Sequence, residues 1–392
     1  MRIQESEIQL DFFNTIQECS TKWDSIGDNN LYWKSKYLAV LEKYPAKNMT
    51  QVYVLVKHKE SIVAKFLFQN IYIKLSESYG EHNHALSRKQ KFQELGKKLV
   101  LPFLNFQLIV SGNALLTGNY GHFFSLDLGL GNKEEIVAFV TEKYRRHFHK
   151  NFSKPSGILL KDIKKGKGNY TQTLAENGFS NFRVEPKMKI EIDPAWNNFE
   201  DYLSALKSKY RVRVRRAKKK LGGGVTRRIL TAEELNRYAG KMYDLYMETA
   251  GGAGFNLFFL DDFYFAGLGI ELPEDVRIMG IFEDEEMLGF YTLIKAGTEM
   301  DAHFLGYAIK RNPAHQIYLN MLYFMIEDAI DAKATVLHMS RTALEIKSSV
   351  GAKPQQLDLY VKHYSKPVNA LANKLLKITV PKVAWKERSP FK

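Results

Sequence analysis

Three side chains able to move protons stand late in the chain: His303 and Tyr307 on one apolar run, and Glu345 in a polar turn further on. An imidazole or carboxylate takes a proton and a phenol gives one, so the set suits general acid–base chemistry. Ser340, Arg341 and Lys347 flank Glu345. Arginine matches carboxylate and phosphate geometry through two parallel hydrogen bonds, which makes these three the candidates for gripping an anionic substrate. A second anion-holding group is offered by Lys310, Arg311 and Asn312 before Pro313, with Tyr318 just beyond. A plainer reading stands beside each. Ion pairs such as Arg341–Glu345 are common on helices, and buried His and Tyr are more often structural than catalytic. His82, His84, His147 and His149 come as pairs without cysteine or a carboxylate cluster at ligand spacing, so no metal site is expected.

The elements that must position these residues are legible between Ala302 and Pro354. A strand-like run from Ala302 to Ile309 ends in the polar turn, an amphipathic helix follows from Ala314 to about Ala332, and a short run from Thr335 to Met339 leads into Ser340. The pattern is strand, helix, strand, helix, with polar groups where strands stop, which is where open α/β sheets bind ligands. On an alternating strand His303 and Tyr307 point to the same face.

The chain has 392 residues, 45% of them hydrophobic, enough for more than one core. A single cysteine, Cys19, rules out an internal disulfide and suits a reducing, cytoplasmic setting. The N-terminus reads as no signal peptide. The uncharged stretch from Leu99 to Leu126 is broken by Pro102, Gly112, Gly118 and several Asn, so it reads as buried strands and not as a membrane helix. A net charge of +14 attracts phosphates, nucleic acids, acidic carrier proteins and anionic lipid surfaces without choosing among them.

Further up the chain, Gln4 to Cys19 and Asn30 to Tyr44 read as helices, and Gln51–Val56 with Ile62–Ile73 as a hairpin. Loop and helix are expected from Ser76 to Lys98, a helix from Lys133 to Lys150, a strand from Ser156 to Leu160, a short helix from Tyr170 to Asn177 and a strand from Phe182 to Ile192. The pattern then starts again. Helices from Phe199 to Ala217 and Thr231 to Thr249 precede a hairpin (Val276–Phe282, Met287–Ala296) and the segment described above. The halves share an order and not a literal repeat. The expected domains are 1–195 and 196–365, followed by a basic amphipathic tail at 366–392. Such a tail lies on anionic membranes or packs as a terminal helix, and both readings stand.

This order resembles the GNAT acyltransferase fold, an α/β (α+β) mixed sheet in which the acyl donor enters where two central strands splay apart. Two such units joined by a basic helix resemble the FemABX-related branch. Tyr202-Leu203-x-x-Leu206-x-Ser208-Lys209-Tyr210-Arg211, followed by a basic run through Lys220, is similar to the start of that branch's second domain. Tyr318-x-x-x-x-Tyr323 and Ser340-Arg341-Thr342-Ala343-x-Glu345-Ile346-Lys347 through Gly351-Ala352 are similar to its end. One departure is that the turn Lys310 to Gln316 has no glycine where GNAT enzymes use a Gly-rich loop to cradle the pyrophosphate of coenzyme A.

What the resemblance implies is amide formation on an amine from an acyl thioester, carried by coenzyme A or an acidic acyl carrier protein as co-substrate, with no tightly bound cofactor. For such a reaction the residues themselves offer Tyr307, near its strand's end, as general acid, Glu345 as base or as grip for a substrate ammonium, His303 as a further catalytic candidate, and Lys310, Arg311, Asn312 and Tyr318 to hold the donor. A lipid or cell-envelope precursor would suit the basic tail. Two alternatives remain: an aminoacyl-tRNA-dependent transferase, favoured by the basic run Arg211–Lys220, and a non-catalytic binding protein built from degenerate units.

Overall fold

The structure is a computed structural model that describes residues 7–27, 30–74, 105–125, 133–151, 155–164, 170–251, 256–371 and 385–392. The segment Ser76–Lys98, His82 and His84, and residues 372–384 of the tail lie outside them.

The first half carries strands β1 (Ile8–Phe13), β2 (Met49–His58), β3 (Ser61–Lys74), β4 (Asn105–Ser111), β5 (His122–Phe124), β6 (Gly157–Ile163), β7 (Ser180–Phe182) and β8 (Lys187–Glu191). Its helices are α1 (Ser20–Asp24), α2 (Ser35–Lys43), α3 (Lys133–Asn151) and α4 (Tyr170–Glu176). The second half carries α5 (Phe199–Ala205), α6 (Ser208–Leu221), α7 (Ala232–Gly251), α8 (Tyr264–Glu271), α9 (Asn312–His315), α10 (Ile317–Asp331) and α11 (Leu344–Ser349). Its strands are β9 (Val225–Ile229), β10 (Val276–Glu283), β11 (Glu286–Ala296), β12 (Glu299–Tyr307), β13 (Val336–His338), β14 (Lys353–Gln355) and β15 (Asp358–His363).

Two mixed sheets result, ordered β1-β2-β3-β4-β6-β15-β7, with β5 beside β3, and β14-β8-β13-β12-β11-β10-β9. Each is an antiparallel run of four strands followed by one parallel partner, β4 with β6 and β12 with β13. The parallel steps need long crossovers, which α3 and α10 supply. The duplicated pattern read from the sequence is therefore real at the level of topology, and the architecture is the expected tandem mixed α/β one.

Sheet membership departs from a cut at 195/196 in two places. β8 precedes that cut yet pairs with β13 and β14 in the second sheet. β15 follows it yet pairs with β6 and β7 in the first. Each half lends a strand to the other, which ties the sheets together covalently on both sides. The single strand expected over Phe182–Ile192 is accordingly β7 and β8, one in each sheet.

Two further expectations change. Of the helix expected over Gln4 to Cys19, the described residues Ile8–Phe13 form a strand instead, in which Ile8, Leu10 and Phe12 alternate and pair with His58, Val56 and Val54 of β2, and only a short 3-10 turn at Ile16–Glu18 is helical. The helix expected over Phe199–Ala217 breaks into α5 and α6. Asn198 opens α5 with a capping box through Asp201, and the extended backbone at Leu206 and Lys207 separates the two.

Three cores follow from this layering. The middle one is filled from both halves: Trp23, Tyr32, Trp33, Tyr37 and Leu41 from the first meet Leu245, Tyr264, Phe265 and Phe290 from the second. The outer face of the second sheet is covered by α5, α6, α10 and α11, and that of the first by α3 and α4.

Candidate functional site

β12 and β13 pair at only three positions, Glu299 with Val336, Met300 with Leu337 and Asp301 with His338. Beyond them β13 stays with β8, where the Met188 and Met339 backbones continue the ladder, while β12 stays with β11. The two strands therefore diverge as a wedge between Ala302–Tyr307 and Met339–Ala343.

A β-bulge lies on β12 at this point. Ala302 opposes Leu293 and Leu305 opposes Tyr291, so His303 and Phe304 together face the single residue Thr292. The extra residue breaks the alternation. His303 turns toward the middle core, where its Nε2 lies 2.7 Å from the Tyr264 hydroxyl and its ring meets Phe304 edge-on at 4.5 Å. Tyr307 turns to the opposite face and stacks on Tyr318 at 5.7 Å and 30°. The shared face expected for His303 and Tyr307 is thus corrected by one inserted residue. Burial pushes His303 down to about 3, so it is neutral at ordinary pH. Burial raises the Tyr307 phenol, which stays protonated and able to donate.

The loop after β13 holds three non-glycine residues in left-handed conformations: Ser340 (φ 54°), Thr342 (φ 65°) and Ala343 (φ 49°). Such backbone persists only where surroundings over-determine it, and it clusters at functional sites. Here the clamp is Lys347. Its buried ammonium donates to the carbonyls of Met339 and Arg341, both at 2.6 Å. Burial pushes Lys347 down to about 7. It holds the loop from beneath instead of reaching for substrate as expected.

Arg341 is also engaged. Its Nε donates to the Glu185 carbonyl at 2.8 Å, and its guanidinium pairs with both carboxylate oxygens of Asp162 in the first half. Asp162 is fully buried, sits at φ 60°, accepts the Gly118 N–H at 2.9 Å and is paired with Lys161. Burial opposes its ionisation, but the Lys161 and Arg341 charges outweigh that and hold the carboxyl below its usual range. Nearby, Asp301 accepts the Tyr32 hydroxyl at 2.9 Å and lies 3.8 Å from the Lys187 ammonium. These contacts bind the wedge of the second sheet to the first half.

Around the glycine-free turn, Arg311 pairs with Glu283 and Glu286, and the Asn312 side chain accepts the Tyr318 N–H at 3.0 Å. The Asn312 side chain thus takes up one first-turn N–H of α10, Lys310 is exposed, and Arg311 is ion-paired. Of the four residues expected to hold a donor, the structure leaves Lys310 exposed and gives Arg311, Asn312 and Tyr318 local partners. Glu345, expected as a base, is exposed and paired with Arg388, whose charge holds it below the usual carboxylate range.

The structure instead collects positive charge on α6 and the C-terminal segment. A groove of about 810 Å³ runs between α6, the start of α10 and α11. Lys209, Arg213 and Arg216 of α6 and Arg388 of the C-terminal segment line it, with Glu345 the one carboxylate among its lining residues. Val214, Ala217 and Leu221 bury the adjoining face of α6, which is why a helix so rich in cations folds against the domain at all. The basic run was visible in the sequence. That Arg388 joins it, and that Asp162 meets Arg341, was not, because no local pattern links residues so far apart.

No family model and no curated protein matches the sequence. Among solved structures, FemX matches with a TM-score of 0.52 at 13% identity, over 93% of this chain and 100% of that one. A tandem GNAT protein from the clavulanic acid biosynthesis pathway matches with a TM-score of 0.49 at 8% identity, over 91% of this chain and 98% of that one. The C-terminal domain of a putative lysylphosphatidylglycerol synthetase from Agrobacterium fabrum matches with a TM-score of 0.47 at 8% identity, over 92% and 95%. Among the described residues, no helix is long and apolar enough to cross a membrane. The chain carries a FemX-like fold built of two mixed sheets.

Proposed function

We propose that the protein transfers an activated acyl group to an amine, with the donor's phosphates in the basic groove and its acyl carbon in the wedge between β12 and β13. What supports this reading is that the wedge and a groove lined by four cations and one carboxylate share elements: Tyr307 stacks on Tyr318, between the groove residues Gln316 and Leu319, and Glu345 and Ile346 of the groove follow Ala343 in the chain. Phosphate recognition by Arg and Lys needs no glycine loop, so Lys209, Arg213 and Arg216 take over what the turn at Lys310–Gln316 lacks. In the reaction the ammonium first gives one proton to solvent, and the neutral amine nitrogen attacks the acyl carbon. The bond to sulfur or oxygen breaks, and the leaving group takes a proton from Tyr307, protonated and at the rim of the wedge, while the proton that the nitrogen sheds on becoming an amide restores the phenol through solvent. His303 is neutral, but its Nε2 is held by Tyr264, so its role is to fix the bulge.

Coenzyme A thioesters and carrier-protein thioesters both fit this chemistry. A second reading, aminoacyl-tRNA as donor, is favoured by Arg215, Lys219 and Lys220, which are exposed on α6 and extend the cationic surface past the groove. A lipid or envelope amine as acceptor belongs to the same proposal. The test is to present labelled thioesters (acyl-coenzyme A and acyl carrier protein) and, separately, labelled aminoacyl-tRNA with a panel of amines and to look for labelled amide. Transfer from one donor class, slowed by roughly 10²–10⁴-fold in Tyr307→Phe, supports the reading. Undiminished turnover in Tyr307→Phe removes the phenol from the mechanism, and no transfer from either class contradicts the proposal.

A further inference from the structure

The segment Trp385–Lys392 crosses the second domain as an extended strap. The Lys207 N–H donates to the Pro390 carbonyl at 2.8 Å, the Lys392 N–H donates to the Ala205 carbonyl at 3.1 Å, and Leu206 and Phe391 form an isolated antiparallel bridge. These bonds fall in the short gap between α5 and α6, where backbone groups are free of helix. The Phe391 ring lies 5.6 Å from Trp196 and 6.0 Å from Tyr202. It also fills the space where a Cβ on Gly351 would stand, 2.5 Å from its ring, so Gly351 answers to Phe391 as well as to its own φ of 108°.

At the other end, the Arg388 N–H donates to the Ser348 hydroxyl of α11 at 3.1 Å. The Arg388 side chain then reaches Glu345 and lines the basic groove opposite α6. The strap is therefore anchored at Phe391 and presents a guanidinium three residues earlier.

We propose that this strap forms one wall of the donor groove, with Arg388 a phosphate-binding residue that Glu345 occupies until an anion replaces it. The inference rests on the reading of the groove as the donor site. Both Arg388 and Glu345 lie at the surface, where a lone ion pair contributes little to stability, so exchanging a carboxylate partner for a phosphate is inexpensive. Glu345 is thereby a competitor for the groove and not a base.

The experiment titrates native protein and four variants with coenzyme A and, in a second arm, with uncharged tRNA. In the arm that binds, Arg213→Gln and Arg388→Gln each weaken binding by about 5–30-fold, the loss of one charge-assisted contact. Phe391→Ala weakens it comparably by freeing the strap, with circular dichroism confirming that the domain stays folded. Glu345→Gln tightens binding severalfold, which a merely structural ion pair would not do. If Arg213→Gln weakens binding while Arg388→Gln and Glu345→Gln leave it unchanged, the strap proposal fails and the groove reading survives. If neither probe binds the native protein, or Arg213→Gln changes nothing, the groove reading fails and takes the strap with it.

Discussion

The buried contact between Asp162 and Arg341 gives the sharpest stability prediction. Asp162 is fully buried, while the Arg341 and Lys161 side chains are only 17% and 12% exposed. Replacing Asp162 by Asn keeps its shape, and Asn tolerates the left-handed backbone at φ 60°. What is lost is the charge, leaving two cations facing a neutral amide. Breaking a buried pair from one side costs about 3–5 kcal/mol. Arg341→Met alone leaves Asp162 with Lys161 and the Gly118 N–H, so its cost is smaller. The two changes combined cost less than their sum, with a coupling of roughly 1–3 kcal/mol. Urea unfolding followed by tryptophan fluorescence is the assay, because Trp23 and Trp33 report on the middle core that both halves share. The pH arm has a definite sign. The folded carboxyl is depressed, so its stabilisation is present above the unfolded value near 4 and is lost as pH falls through the folded one. Asp162→Asn therefore flattens the acid limb of the stability profile. A cost under 1 kcal/mol for Asp162→Asn, or strict additivity in the double variant, refutes the claim that this pair clasps the halves.

Further outcomes follow from single groups. Lys347 is depressed from 10.5 to about 7, so native stability rises with pH between those values, by up to about 5 kcal/mol, and Lys347→Met abolishes the rise in denaturation at pH 7 and pH 10. His303→Phe removes the contact with Tyr264 and disturbs the bulge; activity drops, yet the neutral-to-alkaline shape of the pH–rate profile is unchanged, since His303 does not titrate there. If tRNA is the donor, Arg213→Gln with Arg216→Gln flattens the dependence of log affinity on log salt by roughly 0.7–0.9 per lost phosphate contact, measured by filter binding.

Much of this architecture is legible in the chain because its long elements carry their own periods. The hairpin of β10 and β11, helix α3 with its early Glu134 and Glu135, and the strand–helix–strand around α10 all fall where apolar spacing places them. Short strands do not announce their partners. β8 and β15 are five and six residues long, and nothing local says that each joins the other half's sheet. β1 was masked by a charged N-terminus that mimics a helix. The bulge at His303 and Phe304 has no glycine or polar insertion to mark it, so alternation misplaced His303. At the site, residue types were read more reliably than pairings. Arg341, Lys347 and Glu345 do gather at the end of β13, but Asp162, the Met339 carbonyl and Arg388 take them up. Those partners are set by tertiary packing that a single sequence does not display.

The central claim is that a phosphate-bearing acyl donor lies along α6 and enters the wedge between β12 and β13. Photo-crosslinking with azido-labelled coenzyme A or tRNA, followed by peptide mapping, tests it most directly. The expected result is label on the peptides that carry Lys209–Arg216 and Ser340–Lys347, competed away by unlabelled donor. Label confined to the first half, around β4 and β6, would contradict it.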